Sequence, residues 1–230
     1  MNDLISILVV VIIMSDFLLL AAGSLRAAVR IIGFQGLALG VLPLCAHQNG
    51  LTLRLVAIAI LVIILKAVVF PRLLLRSLRE SGAPRTITFF VGPVSSLLLG
   101  IFVLGSSLWW GYLLPLPERS PYTLAVPMVF FTIVTGLLLL VSRRQALMQV
   151  IGYLALENGI YAFGVFFAQS ESMLIELGIL LDVFVGVFIM GIMVFHISRE
   201  FDNIESSQLS TLRDWFRGSR RPAGGGGTLR

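Results

Sequence analysis

Residues 53–75 read LRLVAIAILVIILKAVVFPRLLL, an apolar run of membrane-spanning length that contains one lysine, Lys66. A helix needs roughly 17–25 apolar residues to cross the hydrocarbon core of a bilayer. Six other runs have a similar character: Leu4–Ala22, Arg30–Ala46, Ile87–Leu104, Tyr122–Val141, Leu147–Phe167 and Met173–Ile197. The sequence therefore predicts an all-α, polytopic membrane protein with seven transmembrane helices.

The composition of the chain supports this prediction. Of its 230 residues, 57% are hydrophobic and 13% are charged, whereas soluble chains carry roughly 25% charged residues. The net charge is +5. A basic nucleic-acid-binding face needs a stretch of soluble fold, and the sequence predicts none, so we expect no nucleic-acid binding. One cysteine, Cys45, excludes disulfides and cysteine-built metal centres, and His47 and His196 make no ligand pair. We expect neither a metal nor another cofactor in this chain.

The basic residues predict the orientation in the membrane. If the N-terminus lies outside, fourteen of the seventeen basic residues fall in the cytoplasm, two (Arg54 and Arg119) fall outside, and Lys66 lies within a span. Cytoplasmic loops are enriched in Lys and Arg, so this distribution favours an N-terminus outside and a cytoplasmic C-terminus in the cell (inner) membrane. The tryptophan-rich segment 105–122 is then expected to form an outer aromatic belt and a short loop. The first run follows Asp3 and lacks the basic start of a signal peptide, so we expect it to be retained.

The domain organisation follows from these spans. Residues 1–198 are predicted to form the transmembrane bundle. Residues 199–217 are predicted to form a cytoplasmic amphipathic helix, because Leu209, Leu212 and Phe216 recur at helical spacing. Residues 218–230, which include four successive glycines, are expected to be a disordered tail.

A faint internal repeat accompanies the spans. Shifting the chain by 119 residues aligns residues 23–40 with 142–159, with identity at five of 18 positions that include Gly33/Gly152 and Gly40/Gly159. Spans 1–3 and 5–7 would then be parallel repeats joined by the fourth span. Chance similarity between two apolar segments is the alternative interpretation.

Four ionisable residues lie inside the predicted spans: Asp16, Lys66, Glu157 and Asp182. A charged side chain at a helix centre costs roughly 2.5–3.5 kcal/mol on insertion scales, and such residues usually face the bundle interior. Lys66 is the only lysine in the chain, and an ammonium group can release a proton whereas a guanidinium cannot. A proton-handling role and a static ion pair with an acid on a neighbouring helix both remain open for Lys66.

The two later acids have surroundings that favour a functional role. Glu157 lies one turn from Tyr153 and one turn from Tyr161, whose hydroxyl groups are expected to support the carboxyl group. Asp182 lies one turn from Gly178 and one turn from Gly186, and small residues leave room for a neighbouring helix and water. The alternative for both acids is a hydrogen-bonded seam between helices.

Three stretches carry a resemblance to a known family: SRRQALMQVIGYLALENG at 142–159, LGILLDVFVGVFIMGI at 177–192 and FDNIESSQLSTLRD at 201–214. Together they resemble component E of hydrogenase-4 and of related membrane-bound [NiFe] hydrogenase complexes such as formate hydrogenlyase. This resemblance extends over nearly the whole chain. The second half, about 122–198, is also similar to the small K-type subunit of respiratory complex I.

The K-type subunit carries two membrane-buried glutamates in a lateral path of ionisable residues, so the resemblance implies comparable roles for Glu157 and Asp182. There are two departures from the family pattern. The first glutamate of the family aligns with Leu154, one turn before Glu157, and the second is replaced by Asp182. In the internal repeat, Leu154 aligns with Gln35, the polar residue of the second span.

The sequence and the resemblance together predict a non-catalytic membrane subunit of a complex-I-like [NiFe] hydrogenase assembly. Lys66, Glu157 and Asp182 are the predicted proton-relay residues, with Asp16, Gln35, Tyr153 and Tyr161 as possible support. The expected partners are the lipid bilayer and other membrane subunits of the assembly, including antiporter-like subunits, and the metal centres belong to partner subunits. A free-standing ion or small-solute transporter and a purely structural membrane subunit are the alternatives.

Overall fold

The computed structural model describes residues 2–46, 53–80, 92–113, 122–143, 145–167 and Gly186. Almost all of these residues are helical, in the elements α1 (Asn2–Ala21), α2 (Leu25–Ala46), α3 (Leu53–Ile63), a π-helical segment (Ile64–Val69), α4 (Phe70–Glu80), α5 (Pro93–Leu113), α6 (Tyr122–Ser142) and α7 (Ala146–Phe167).

Six helices in the described part of the chain are long and apolar enough to span a membrane: Asp3–Ala21, Leu25–Ala46, Leu55–Arg79, Pro93–Leu113, Leu124–Ser142 and Ala146–Phe167. The first six predicted spans are thereby confirmed as helices. The seventh, Met173–Ile197, lies outside the described residues except for Gly186, which is helical.

Several helix boundaries differ from the sequence prediction. The second span begins at Leu25, five residues earlier than predicted, because Ser24 caps the helix by accepting a hydrogen bond from the Ala27 amide at 3.3 Å. The fourth span runs from Pro93 to Leu113, so its predicted end at Leu104 was wrong, and the first nine residues of the predicted belt-and-loop segment 105–122 are helical. Nothing in residues 105–113 breaks the backbone hydrogen bonds of a helix, and Pro93 suits the first helical position.

The third span is one continuous helix in three parts, α3, the π-helical segment and α4. At the end of the π-helical segment, the Phe70 amide donates to the Leu65 carbonyl, five residues earlier. Pro71 follows directly and has no amide hydrogen for the carbonyl four residues before it, which disfavours regular α-helical bonding at this point. The wider turn contains Lys66.

Four helices form the centre of the described bundle. α1 packs against α2 and α6, and α7 also packs against α2 and α6, so these helices form a closed ring. The third span packs against α2, and α5 packs against α1 and α6. The side chains of Val9, Leu39, Met128 and Ala162 are buried between the four ring helices.

Glycines allow the close approach of two helix pairs. A Cβ atom at Gly136 of α6 would overlap the backbone nitrogen of Leu156 in α7 and would lie 2.6 Å from the Leu156 Cα. A Cβ atom at Gly36 of α2 would lie 2.6 Å from the Cβ of Lys66. Association of membrane helices depends on such backbone proximity, since lipid tails are as apolar as leucine side chains.

The repeat-related glycines have different neighbours in the two halves. In α2, Gly33 and Gly40 face the span that follows, at Pro71 and Ile63. In α7, Gly152 and Gly159 face the span that precedes it, in α6. Both pairs permit close packing, but against helices at different places in the proposed repeat, and the internal duplication stays a prediction.

We expect Gly136→Ala to destabilise the bundle, because the added methyl group meets backbone atoms of α7 that no side-chain rotation can clear. Overpacking of this kind costs about 1–3 kcal/mol. The measurement is the thermal midpoint of the detergent-solubilised protein. Gly105→Ala in α5 is the matched control, since a Cβ atom there has no neighbour within 4 Å. Equal midpoints for the two variants would contradict the close contact between α6 and α7.

Candidate functional site

A buried ion pair joins the third span to α7. Lys66 Nζ lies 2.5 Å from Glu157 Oε1, and the two side chains are 4% and 2% exposed. Burial of either charge alone is costly, and the attraction between the charges together with further hydrogen bonds offsets that cost. The second carboxylate oxygen, Glu157 Oε2, is buried and has no hydrogen-bond partner among the described residues.

Local features of two helices place Lys66 against α7. The π-helical segment changes the rotation of the third span at Lys66, and π-helical turns are frequent at functional sites. Gly36 leaves space on α2 at the base of the lysine side chain. The ammonium group lies 5.2 Å from the centre of the Tyr161 ring, which is close enough for a cation–π attraction.

The ion pair continues into a chain of hydrogen bonds. Lys66 Nζ donates to Asn158 Oδ1 at 3.0 Å, and Asn158 Nδ2 donates to Gln35 Oε1 at 3.0 Å. Gln35 Nε2 then donates to Asp16 Oδ1 at 2.8 Å, and the Thr132 hydroxyl donates to Asp16 Oδ2 at 2.6 Å. We call this set of six side chains the buried polar chain: Glu157, Lys66, Asn158, Gln35, Asp16 and Thr132.

The buried polar chain crosses the bundle from helix to helix. Its members come from five of the membrane-spanning helices, and all six side chains are at most 5% exposed. Three of the six, Asp16, Lys66 and Glu157, can change charge by gaining or losing a proton. An arrangement of this kind, across the spans and inside the bundle, is typical of proton relays as well as of helix–helix seams.

Arg143 occupies a buried position at the end of α6. Its side chain is fully buried, and Nη2 donates to the Leu20 carbonyl at 3.0 Å. That carbonyl belongs to the last turn of α1, where a cation is favoured by the helix dipole. Burial lowers the pKa of the Arg143 guanidinium below its ordinary value. Arg143 thus ties α6 to the end of α1.

The structure unites most of the residues that the sequence singled out. Asp16, Gln35, Lys66 and Glu157 all belong to the buried polar chain, and the Tyr161 ring lies against Lys66. Tyr153 is half-buried and does not hydrogen-bond to Glu157 Oε2, which has no described partner. Asp182 lies outside the described residues.

Sequence reasoning did not assign a role in the site to Asn158, Thr132 or Arg143. Asn158 follows Glu157 directly and shares its depth in the membrane, which is a signal that sequence inspection can use. Thr132 gives no such signal, because isolated threonines are common in membrane helices. Arg143 was counted as an ordinary cytoplasmic charge, whereas it is fully buried.

Comparison with known proteins places the chain in a family. Over 207 residues it is 31% identical to the uncharacterized protein Rv0085 of Mycobacterium tuberculosis, and the alignment covers 88% of this chain and 92% of Rv0085. The chain belongs to the Rv0085 family. No protein-family model and no solved structure matches it.

The present chain also matches hydrogenase-4 component E of Escherichia coli K12. The identity is 31% over 100 residues, or 44% of this chain and 45% of component E, and component E of Shigella flexneri gives the same values. The resemblance to component E is thereby confirmed for part of the chain, and not over nearly its whole length. Similarity to the K-type subunit of complex I stays a prediction.

We expect Glu157→Gln to destabilise the protein, because it removes the carboxylate that pairs with the buried Lys66 ammonium. Removing one partner of a buried ion pair costs about 3–5 kcal/mol. The double variant Lys66→Met/Glu157→Gln should recover most of that loss, since neither charge of this ion pair is left behind. The measurement is membrane abundance and the thermal midpoint of each variant.

Asp3→Asn is the matched control for loss of a carboxylate, because Asp3 is exposed at the start of α1. A double variant as unstable as Glu157→Gln alone would contradict the ion pair as the source of the loss.

Proposed function

We propose that this chain is a non-catalytic membrane subunit of a complex-I-like [NiFe] hydrogenase assembly, in which it relays protons. Two observations support the proposal: partial similarity to hydrogenase-4 component E, and the ion pair between Lys66 and Glu157 inside a membrane bundle. The ion pair carries the relay part of the proposal. It combines two groups that exchange protons, and a static contact between helices does not need that property.

The chemistry of the pair suggests how a proton moves. Transfer of a proton from the Lys66 ammonium to Glu157 converts a charged pair into a neutral one, so no net charge is created in a medium of low dielectric constant. Neutral Lys66 can then accept a proton from one side, while Glu157 releases its proton towards the other. Glu157 Oε2 is available for that release, because it is buried and has no hydrogen-bond partner among the described residues.

In this proposal Asp182 continues the relay beyond Glu157, with Tyr153 and Tyr161 alongside. The N-terminus lies outside and the C-terminus in the cytoplasm, where residues 199–217 lie against the membrane surface or a partner subunit. The chain contacts other membrane subunits, including an antiporter-like one. Nickel and iron centres belong to partner subunits, and this chain contributes only to the coupling of redox chemistry to proton movement.

The relay predicts that two variants, one single and one double, assemble normally and do not move protons. Asp182→Asn removes a titratable group and keeps its shape. Lys66→Met/Glu157→Gln removes both charges of the ion pair together. The assay is redox-driven proton movement in inside-out membrane vesicles, with subunit abundance measured in parallel, and Asp3→Asn as the control that should keep normal movement.

Normal proton movement at normal abundance in both variants would exclude the relay and would favour a purely structural subunit. Affinity purification of the tagged chain from its native membrane separates the proposal from the transporter alternative. A large hydrogenase subunit and antiporter-like proteins should co-purify with it. A chain that purifies alone, with transport activity of its own, would contradict membership of the assembly.

A further inference from the structure

The direction of the hydrogen bonds in the buried polar chain is determined by Lys66. A protonated lysine has donors and no acceptor, so Asn158 must turn its oxygen towards Lys66 and its nitrogen towards Gln35. Gln35 must then present its oxygen to Asn158 and its nitrogen to Asp16. The two amides therefore form an oriented bridge whose donor end points at Asp16 Oδ1.

The other oxygen of Asp16 lies in a site that suits both protonation states. The Thr132 hydroxyl lies 2.6 Å from Asp16 Oδ2 and 2.9 Å from the Met128 carbonyl, yet it has only one hydrogen to donate. When Asp16 is ionised, that hydrogen points at Oδ2. When Oδ2 carries a proton, Asp16 donates to Thr132 and Thr132 donates to Met128. The heavy atoms keep their places in both cases.

We propose that Asp16 is a second proton-binding site, coupled to the charge of the Lys66–Glu157 pair through the Gln35–Asn158 amide bridge. Amide groups do not readily pass protons, but their aligned dipoles transmit the effect of a charge. With Lys66 charged, the bridge stabilises the Asp16 carboxylate. With Lys66 neutral, that stabilisation weakens and Asp16 takes up a proton. Such coupling is reciprocal, so protonation of Asp16 in turn disfavours the charged lysine.

Among the described residues, few other charged groups face Asp16 from the helices that pack against α1. On α6 the nearest polar group is the Thr132 hydroxyl, and after α6 the Arg143 guanidinium binds the Leu20 carbonyl, one turn beyond Asp16. On α2, Arg26 and Arg30 are exposed near the start of the helix.

On α5, Gly100 approaches Phe17 and Leu20 of α1. Tyr112, the ionisable side chain of α5, lies twelve residues further along, or about 18 Å at the helical rise. Glu157 faces Asp16 only through Lys66 and the amide bridge. Among the described groups, the bridge is therefore the hydrogen-bonded connection from Asp16 to a second titrating group.

The test is an infrared titration of the full chain in lipid nanodiscs. It follows the carbonyl stretch of protonated carboxyl groups, and the Asp16→Asn variant identifies the band of Asp16. We expect a band that disappears as the pH rises. In Lys66→Met/Glu157→Gln the band should persist to a higher pH, by less than about one pH unit, because loss of the Glu157 anion offsets part of the effect of losing the nearer Lys66 cation.

Two further variants test the route of the coupling. In Asn158→Leu, removal of the two charges should shift the Asp16 band by less than half as much as in the intact bridge. Thr132→Val keeps the side-chain shape and removes the hydroxyl that donates to Asp16 Oδ2, so Asp16 should stay protonated to a higher pH than in the unmodified protein. This variant still tests proton binding at Asp16 if Asn158→Leu does not fold.

Two results would overturn the inference. One is that Asp16→Asn removes no titrating band, and the other is that the Asp16 band has the same midpoint pH with and without the Lys66–Glu157 charges. The coupling of Asp16 to the ion pair rests on the proposed relay for its biological role. Its test reads the protonation of one carboxyl group, and the relay test reads proton movement in vesicles. Either can fail while the other succeeds.

Discussion

The described bundle depends on the pairing of Lys66 with Glu157 inside a region where an isolated charge is strongly disfavoured. The two residues pair across the bundle although they are 91 positions apart in the sequence. The pair therefore imposes a register between the third span and α7. The rest of the buried polar chain extends that register to α1, α2 and α6, because every hydrogen bond in it joins side chains of different helices, apart from the bond within α6 from Thr132 to Met128.

Backbone features give the side chains access to one another. Gly36 lets the lysine-bearing helix approach α2, and the π-helical turn before Pro71 sets the rotation of Lys66. Gly136 lets α6 approach α7, and Thr132 of α6 donates to Asp16 of α1. These features cost little in a membrane helix, since neighbouring helices and local changes of helix type satisfy the backbone groups that are freed.

Much of this arrangement could be predicted from the sequence, for reasons of free energy. Long apolar runs cannot remain in water, which predicts the spans, and charges inside them cannot face lipid, which predicts that Asp16, Lys66 and Glu157 lie inside the bundle. The pairing of Lys66 with Glu157 could not be predicted, because the spans contain several acids and the sequence does not say which of them contacts Lys66. The roles of Asn158 and Thr132 could not be predicted either, because a single amide or hydroxyl carries little cost in a span and so marks no position.

In the proposed relay, the cation at Lys66 must be able to give up its proton. The variant Lys66→Arg tests it most directly, because a guanidinium keeps the charge and the ion pair but does not deprotonate. The measurement is redox-driven proton movement in inside-out vesicles relative to the redox turnover of the same sample. The account predicts normal subunit abundance and loss of proton movement. Normal proton movement with arginine at this position would contradict it and would identify the ion pair as a fixed structural contact.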